Sequence, residues 1–144
     1  MAIASAICNS FKIEILKGVH NFTVTSGDTF NLALYTSSAT LNKDTTVYIT
    51  TNEVATATGY TAKGKALTNV TPVLSSDTAV CDFANVSWTS ASFTARGCLI
   101  FNDSVTSDPA VCSIDFGGDK TVTSGTFTIE FPAPNAGTAI IGIA

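Results

Sequence analysis

The residues able to do chemistry are few and widely spaced. His20 is the only imidazole. As a general base it needs a nucleophile within reach and a third group to orient it. Serine and threonine abound, so their presence near His20 says little, and no G-x-S-x-G elbow occurs. The reading is a hydrogen-bonded histidine at the end of a first helix. Paired carboxylates could cleave glycosidic bonds. The acids are Glu14, Glu53, Glu130 and eight aspartates, and most of the aspartates sit beside Gly, Ser or Asn, as turn-formers do. Asp115-Phe-Gly-Gly-Asp119 offers two carboxylates across a short loop, a set that Ca²⁺ accepts. The plainer reading of the loop is a Gly-Gly hairpin turn, with Asp119 paired to Lys120 or Arg96. Arg96 stands alone in an apolar strand and must satisfy its guanidinium. Asp115 and Glu130 are its expected partners.

Cys8, Cys81, Cys98 and Cys112 match no short metal motif. They read as buried free thiols. Cys98 and Cys112 could nevertheless face each other across a hairpin. Trp88 is the best candidate for a sugar platform, but like most of the nine Phe it lies in a strand-like run. No catalytic, cofactor-binding or metal residue is therefore assigned, and the chain reads as a non-enzyme.

What must position these residues is a set of strands. Phe30, Leu32 and Leu34 alternate with Asn31 and Ala33, and Phe127, Ile129 and Phe131 alternate with Thr126, Thr128 and Glu130. Period-two alternation sends successive side chains to opposite faces. Strands are predicted over 29–36, 66–74, 79–83, 86–88, 93–101, 110–116, 126–131 and 139–143, the last central or covered. Turn-forming residues punctuate them, including Gly117-Gly118-Asp119 and Ser124-Gly125. The pattern predicts an all-β fold, one β-sandwich or jelly-roll-like domain spanning 1–144. The stretch 10–19 is ambiguous. Phe11, Ile15 and Val19 make a helical stripe, Ser10 can cap it and Gly18 can end it, and Glu14 can reach Lys17. A short helix within an N-terminal arm, 1–20, is favoured. Residues 37–64 form a long irregular segment that lacks evident core residues, with 47–49 as its one plausible strand. Such segments are usually functional or docked on a partner.

The 144 residues fit one domain. Only 12% are charged, about half the usual ~25%. Thr and Ser fill the polar positions and cost less to desolvate than ions, which suits docking against protein. A net charge of −4 argues against nucleic acid, where phosphate contacts need clustered Lys and Arg. No apolar run approaches the ~20 residues of a membrane span. The start lacks the cation of a signal peptide, so the N-terminus reads as mature protein made in the cytoplasm, with reduced thiols. Asn21, Asn69, Asn85 and Asn102 begin N-x-S/T triplets, expected by accident in so Thr- and Ser-rich a chain.

Several stretches look familiar: SFKIEILKGVH (10–20), DTFNLALYTSSATLN (28–42), TTNEV (50–54), GYTAKGKALTNVTP (59–72), WTSASFTARGCLIFN (88–102) and IDFGGDKTVTSGTFTIEFP (114–132). Along nearly its whole length the chain resembles a family of small virion proteins of tailed bacteriophages. The resemblance implies a non-enzymatic β-sandwich and, in kind, a capsid decoration or cement protein. Such a protein is a homotrimer on the virion surface, made in the host cytoplasm, that binds the major capsid protein. The alternatives are a tail, neck or baseplate component and a carbohydrate-binding adhesin that uses Trp88. Residues 1–20 and 37–64 are expected to supply most of the contacts to the shell.

Overall fold

The computed structural model describes residues 2–57 and 59–144. Met1 of the N-terminal arm and Thr58 of the 37–64 segment lie outside the described residues. The elements in order are β1 (Ala6–Ile7), α1 (Asn9–Leu16), β2 (Phe30–Tyr35), β3 (Lys65–Ala66), β4 (Asn69–Ser75), β5 (Thr78–Phe83), β6 (Val86–Asn102), β7 (Ala110–Ile129) and β8 (Ile141–Ile143). They form a five-stranded sheet, β1-β7-β6-β2-β3, and a three-stranded sheet, β4-β5-β8, both antiparallel. The fold is all-β and sandwich-like, as the alternation predicts.

The centre is β2. All six of its residues are buried, although alternation alone leaves one face wet. Phe30 stacks on Phe22 with ring centroids 4.3 Å apart and approaches Phe83 of the second sheet at 5.9 Å. Tyr35, of opposite parity, donates its hydroxyl hydrogen to the Ile49 carbonyl at 2.6 Å. The segment 37–64 therefore covers the second face. It also borders the part of β2 that β3 does not reach. Val54 N–H donates to Leu34 O, Thr36 N–H to Asn52 O, and Leu34 N–H to the Tyr60 hydroxyl. The segment is irregular, as predicted, but it does carry core. Ala39, Leu41, Val54 and Tyr60 are buried. They escaped notice because they follow no period: each is placed by a contact distant in sequence.

The N-terminal helix starts without its expected cap. Cys8 holds the extended cap position and makes no side-chain cap bond to the helix, its Sγ donating instead to the Asn42 carbonyl, while the Ser10 hydroxyl is buried without a partner. Gly18 ends the helix in the left-handed region, at φ +73°. Glu14 bonds to His20 rather than to Lys17. Phe11 is the buried residue of α1, Ile15 is half-buried and Leu16 is 90% exposed. No helix of the described residues is long and apolar enough to cross a membrane.

The largest departure from expectation is the β6–β7 ribbon. Four predicted strands are two continuous ones, of 17 and 20 residues. The Gly117-Gly118 pair makes no hairpin turn and lies within β7. The register shifts at Trp88/Ala91, Ala91/Phe93 and Ala95/Gly97, and Ser90, Gly117 and Ser124 take φ of 49°, 79° and 46°. These are bulges, which use the same turn-forming residues as reverse turns do. The bulges bend the ribbon. Phe116 and Phe127 belong to one strand and would be ~36 Å apart in a straight one, yet their ring centroids lie 6.3 Å apart. Trp88, Phe93, Phe127 and Tyr60 fill the corner, with centroids 5.0–6.5 Å apart.

β8 is an edge strand rather than a central one. Its Ile141 is buried, whereas Ile143 is half exposed.

Candidate functional site

His20 is buried and sits in a chain of hydrogen bonds. Asn102 Nδ2 donates to His20 Nδ1 at 3.1 Å, so Nδ1 carries no hydrogen. His20 Nε2 then carries it and donates to Glu14 Oε2 at 3.1 Å. Burial pushes the ring's pKa below its ordinary value, against the pull of Glu14 and Asp28. Among the described residues no hydroxyl or thiol hydrogen-bonds the ring. Histidine, carboxylate and amide are thus brought together without a nucleophile.

The Asp115–Asp119 loop divides its carboxylates. Asp115 Oδ1 accepts the Gly117 N–H at 3.0 Å, and Asp119 Oδ1 accepts from Arg96 Nε at 2.9 Å. Arg96 therefore pairs with Asp119, not with Asp115 or Glu130, because the bulge at 116–119 swings Asp119 toward it. Among the described residues no cluster of three or more His, Cys, Asp or Glu side chains could hold a metal ion.

The four cysteines are free and buried. Cys98 pairs in register with Ile114 and Cys112 with Ile100, so the two are offset diagonally along the ribbon and form no disulfide. Burial raises all four thiol pKa values, that of Cys8 to about 11 and that of Cys81 to about 12. At neutral pH such thiols stay protonated and unreactive. Trp88 is 3% exposed. Packed at the ribbon corner, it offers no face to a sugar. Asn102 is fully buried, and Asn69 uses its amide to hold the Asp28 and Thr23 carbonyls.

One polar hub has no sequence signature. The Glu53 carboxylate accepts from the Tyr48 hydroxyl at 2.5 Å, the Tyr60 hydroxyl at 2.7 Å and the Lys63 N–H at 2.8 Å. Burial, reinforced by Glu53, holds both phenols well above their ordinary pKa. Lys63 then reaches out to Asp108 and Asp103, at 2.8 and 3.0 Å. This hub fixes the 37–64 segment against β2 and is structural.

An open hollow lies inside the bent ribbon. Its volume is about 640 Å³. Phe116, Val122, Phe127 and Ile129 line it from β7, and Phe131 and Ile140 close it from the C-terminal segment. Lys120 and Glu130 also line it, and among the described residues neither has an ion-pair partner. Among the described residues β7 is strand-paired on one side only along this hollow. β6 pairs with it through Ile129, while β1 pairs with Cys112 and Ser113 alone. A strand edge with free N–H and C=O groups is a template for another chain. Apolar residues stand exposed elsewhere too: Leu16 on α1, Val73 and Leu74 on β4, and Ile143 on β8. By contrast, Ile3, Cys8 and Phe11 of the N-terminal arm are buried within the chain itself, as are Ala39, Leu41, Val54 and Tyr60 of 37–64.

The arrangement can therefore bind by dry contact and by strand addition. Comparison with known protein families, with curated proteins and with solved structures finds no match for this chain.

Proposed function

We propose that this chain is a non-enzymatic virion structural protein, a capsid decoration protein that binds the major capsid protein and stabilises the head. The observation that carries the reading is the open apolar hollow beside an unpaired strand edge. It is a surface built for contact on a chain whose only histidine is locked into its core. The low charge supports it, because Thr and Ser can be dried at modest cost. Specific attachment needs roughly 1,000 Å² of buried surface, and repetition on a lattice multiplies weak contacts through effective concentration. Assembly as a homotrimer adds to that avidity. The four protonated thiols suit a protein made and folded in a reducing cytoplasm. Residues 1–20 and 37–64 spend part of their apolar side chains internally but keep Ile13 and Leu16 exposed, and the hollow and its rim join these segments as contact surface. The burial of Trp88 counts against a sugar-binding adhesin.

Copy number in purified virions tests the assignment. A shell protein is expected in numbers comparable with the major capsid subunit. A far smaller count would move the chain to the tail or neck, and absence from the particle would overturn the reading.

A further inference from the structure

The circuit around His20 joins three parts of the chain. Glu14 comes from α1, Asp28 from the loop before β2, and Asn102 from the end of β6. Asn102 is used to capacity. Its Nδ2 donates to His20 Nδ1 at 3.1 Å and to Asp28 Oδ2 at 2.8 Å, and its Oδ1 accepts the Ser104 N–H at 3.0 Å. Asp28 Oδ2 also accepts the Asn21 N–H at 2.9 Å. Thr29 N–H donates to the Ser104 hydroxyl, and Asp103 N–H to the Thr29 carbonyl. The loop 21–28 and the turn after β6 are thus tied together through the Asn102 amide, with the Thr29 bonds beside it, and the imidazole ties that amide to Glu14 on α1. Phe11, Phe22 and Phe30 enclose the ring, with centroids at 4.9, 6.4 and 6.2 Å.

The circuit works only with a neutral ring. A proton added at Nδ1 would face the Asn102 NH₂, donor against donor. Turning the amide over does not help. It would aim Oδ1 at the Asp28 carboxylate and leave the Ser104 N–H without its acceptor. A buried polar group stripped of its partner has lost its bonds to water without replacement, so either arrangement is unfavourable.

We propose that the Glu14–His20–Asn102–Asp28 circuit is an acid-sensitive latch, and that protonation of His20 releases the loop 21–28 from the turn at 102–104. The charged groups that bear on the ring are Glu14 from α1 and Asp28 from the loop. Both favour the imidazolium, but removal of the ring from water outweighs them. A folded-state pKa below the unfolded value makes the unfolded chain the better proton binder. The latch's contribution is therefore complete above the ordinary histidine value of 6.5. It is lost as pH falls from there through the folded-state value.

Two measurements test this on the intact protein. In an NMR titration, His20 should titrate below pH 6.5, and the Asn102 side-chain amide signals should move with the same midpoint. Over that range the Asn21 and Ser104 amides should lose protection against hydrogen exchange, after correction for the intrinsic rate, with the midpoint of the His20 titration. His20→Gln keeps an acceptor for Asn102 and a donor for Glu14 but cannot take a proton. Its amides at 21 and 104 should hold their protection across the same range. Titration of His20 without movement of Asn102, or an equal loss of protection in His20→Gln, would overturn the proposal. The wild-type titration alone decides it if the variant does not fold.

Discussion

Replacing Glu53 by alanine is expected to lower the unfolding free energy by about 3–5 kcal/mol, read from the urea midpoint at unchanged slope. Three donors lose their acceptor at once: the Tyr48 and Tyr60 hydroxyls and the Lys63 N–H. A hydrogen bond to a charged group contributes about 1.5–3 kcal/mol. Residues that share one hub do not add in full, which sets the range. Tyr60 suffers most, because its ring is 3% exposed and its hydroxyl has no water to turn to. Its oxygen still accepts the Leu34 N–H, so the edge of β2 survives while the segment above it loosens. Glu53→Gln should recover part of the loss, since its amide oxygen can serve one of the donors. An alanine variant within 1 kcal/mol of wild type, a typical surface change, would mean that the hub does not hold the segment.

Gly64→Ala is expected to cost about 3 kcal/mol or more, by a different route. Gly64 sits at φ +67°, and a β-carbon there would lie 1.8 Å from the Leu32 carbonyl oxygen. That neighbour is backbone and cannot rotate away. β3 must shift off β2, which threatens the pairs Asn31–Ala66 and Leu32–Lys65 and the bond from Leu67 N–H to Phe30 O. Gly18 is the control. It has nearly the same φ, +73°, but nothing within 4 Å of the added carbon. Gly18→Ala should therefore cost only the left-handed strain, about 1–2 kcal/mol. Equal losses at the two positions would show that the close approach of β3 to β2 is unimportant.

Both effects lie in or next to 37–64, the stretch least legible from sequence. Alternation located β2 within one residue at either end, because a strand's period is written in its own side chains. It also found β5, and it found the ground covered by β3 and β4. It failed at the ribbon. A serine or glycine with positive φ serves a bulge as readily as a turn, and only the partner strand decides between them. It failed at β8, where an apolar run suggested a covered strand and the chain leaves Ile143 on an edge. The Glu53 hub joins positions 48, 53, 60 and 63, with no periodicity to betray it. The hollow was equally hidden, since it exists only once β7 bends and brings Phe116 to Phe127. His20 was read correctly as a hydrogen-bonded histidine, but its Asn102 partner, 82 positions away, could not be inferred.

The most direct test of the claim that this chain acts as an adhesive surface is the occupancy of Thr126→Arg on isolated heads that lack the native protein. Thr126 is exposed and lines the hollow, so the fold should tolerate the change while a dry contact should not. A desolvated, unpaired charge costs well over the 1.4 kcal/mol that corresponds to tenfold. Occupancy at least about tenfold below wild type is predicted. Heads that take up the variant as fully as wild type, or that take up neither protein, would contradict the account.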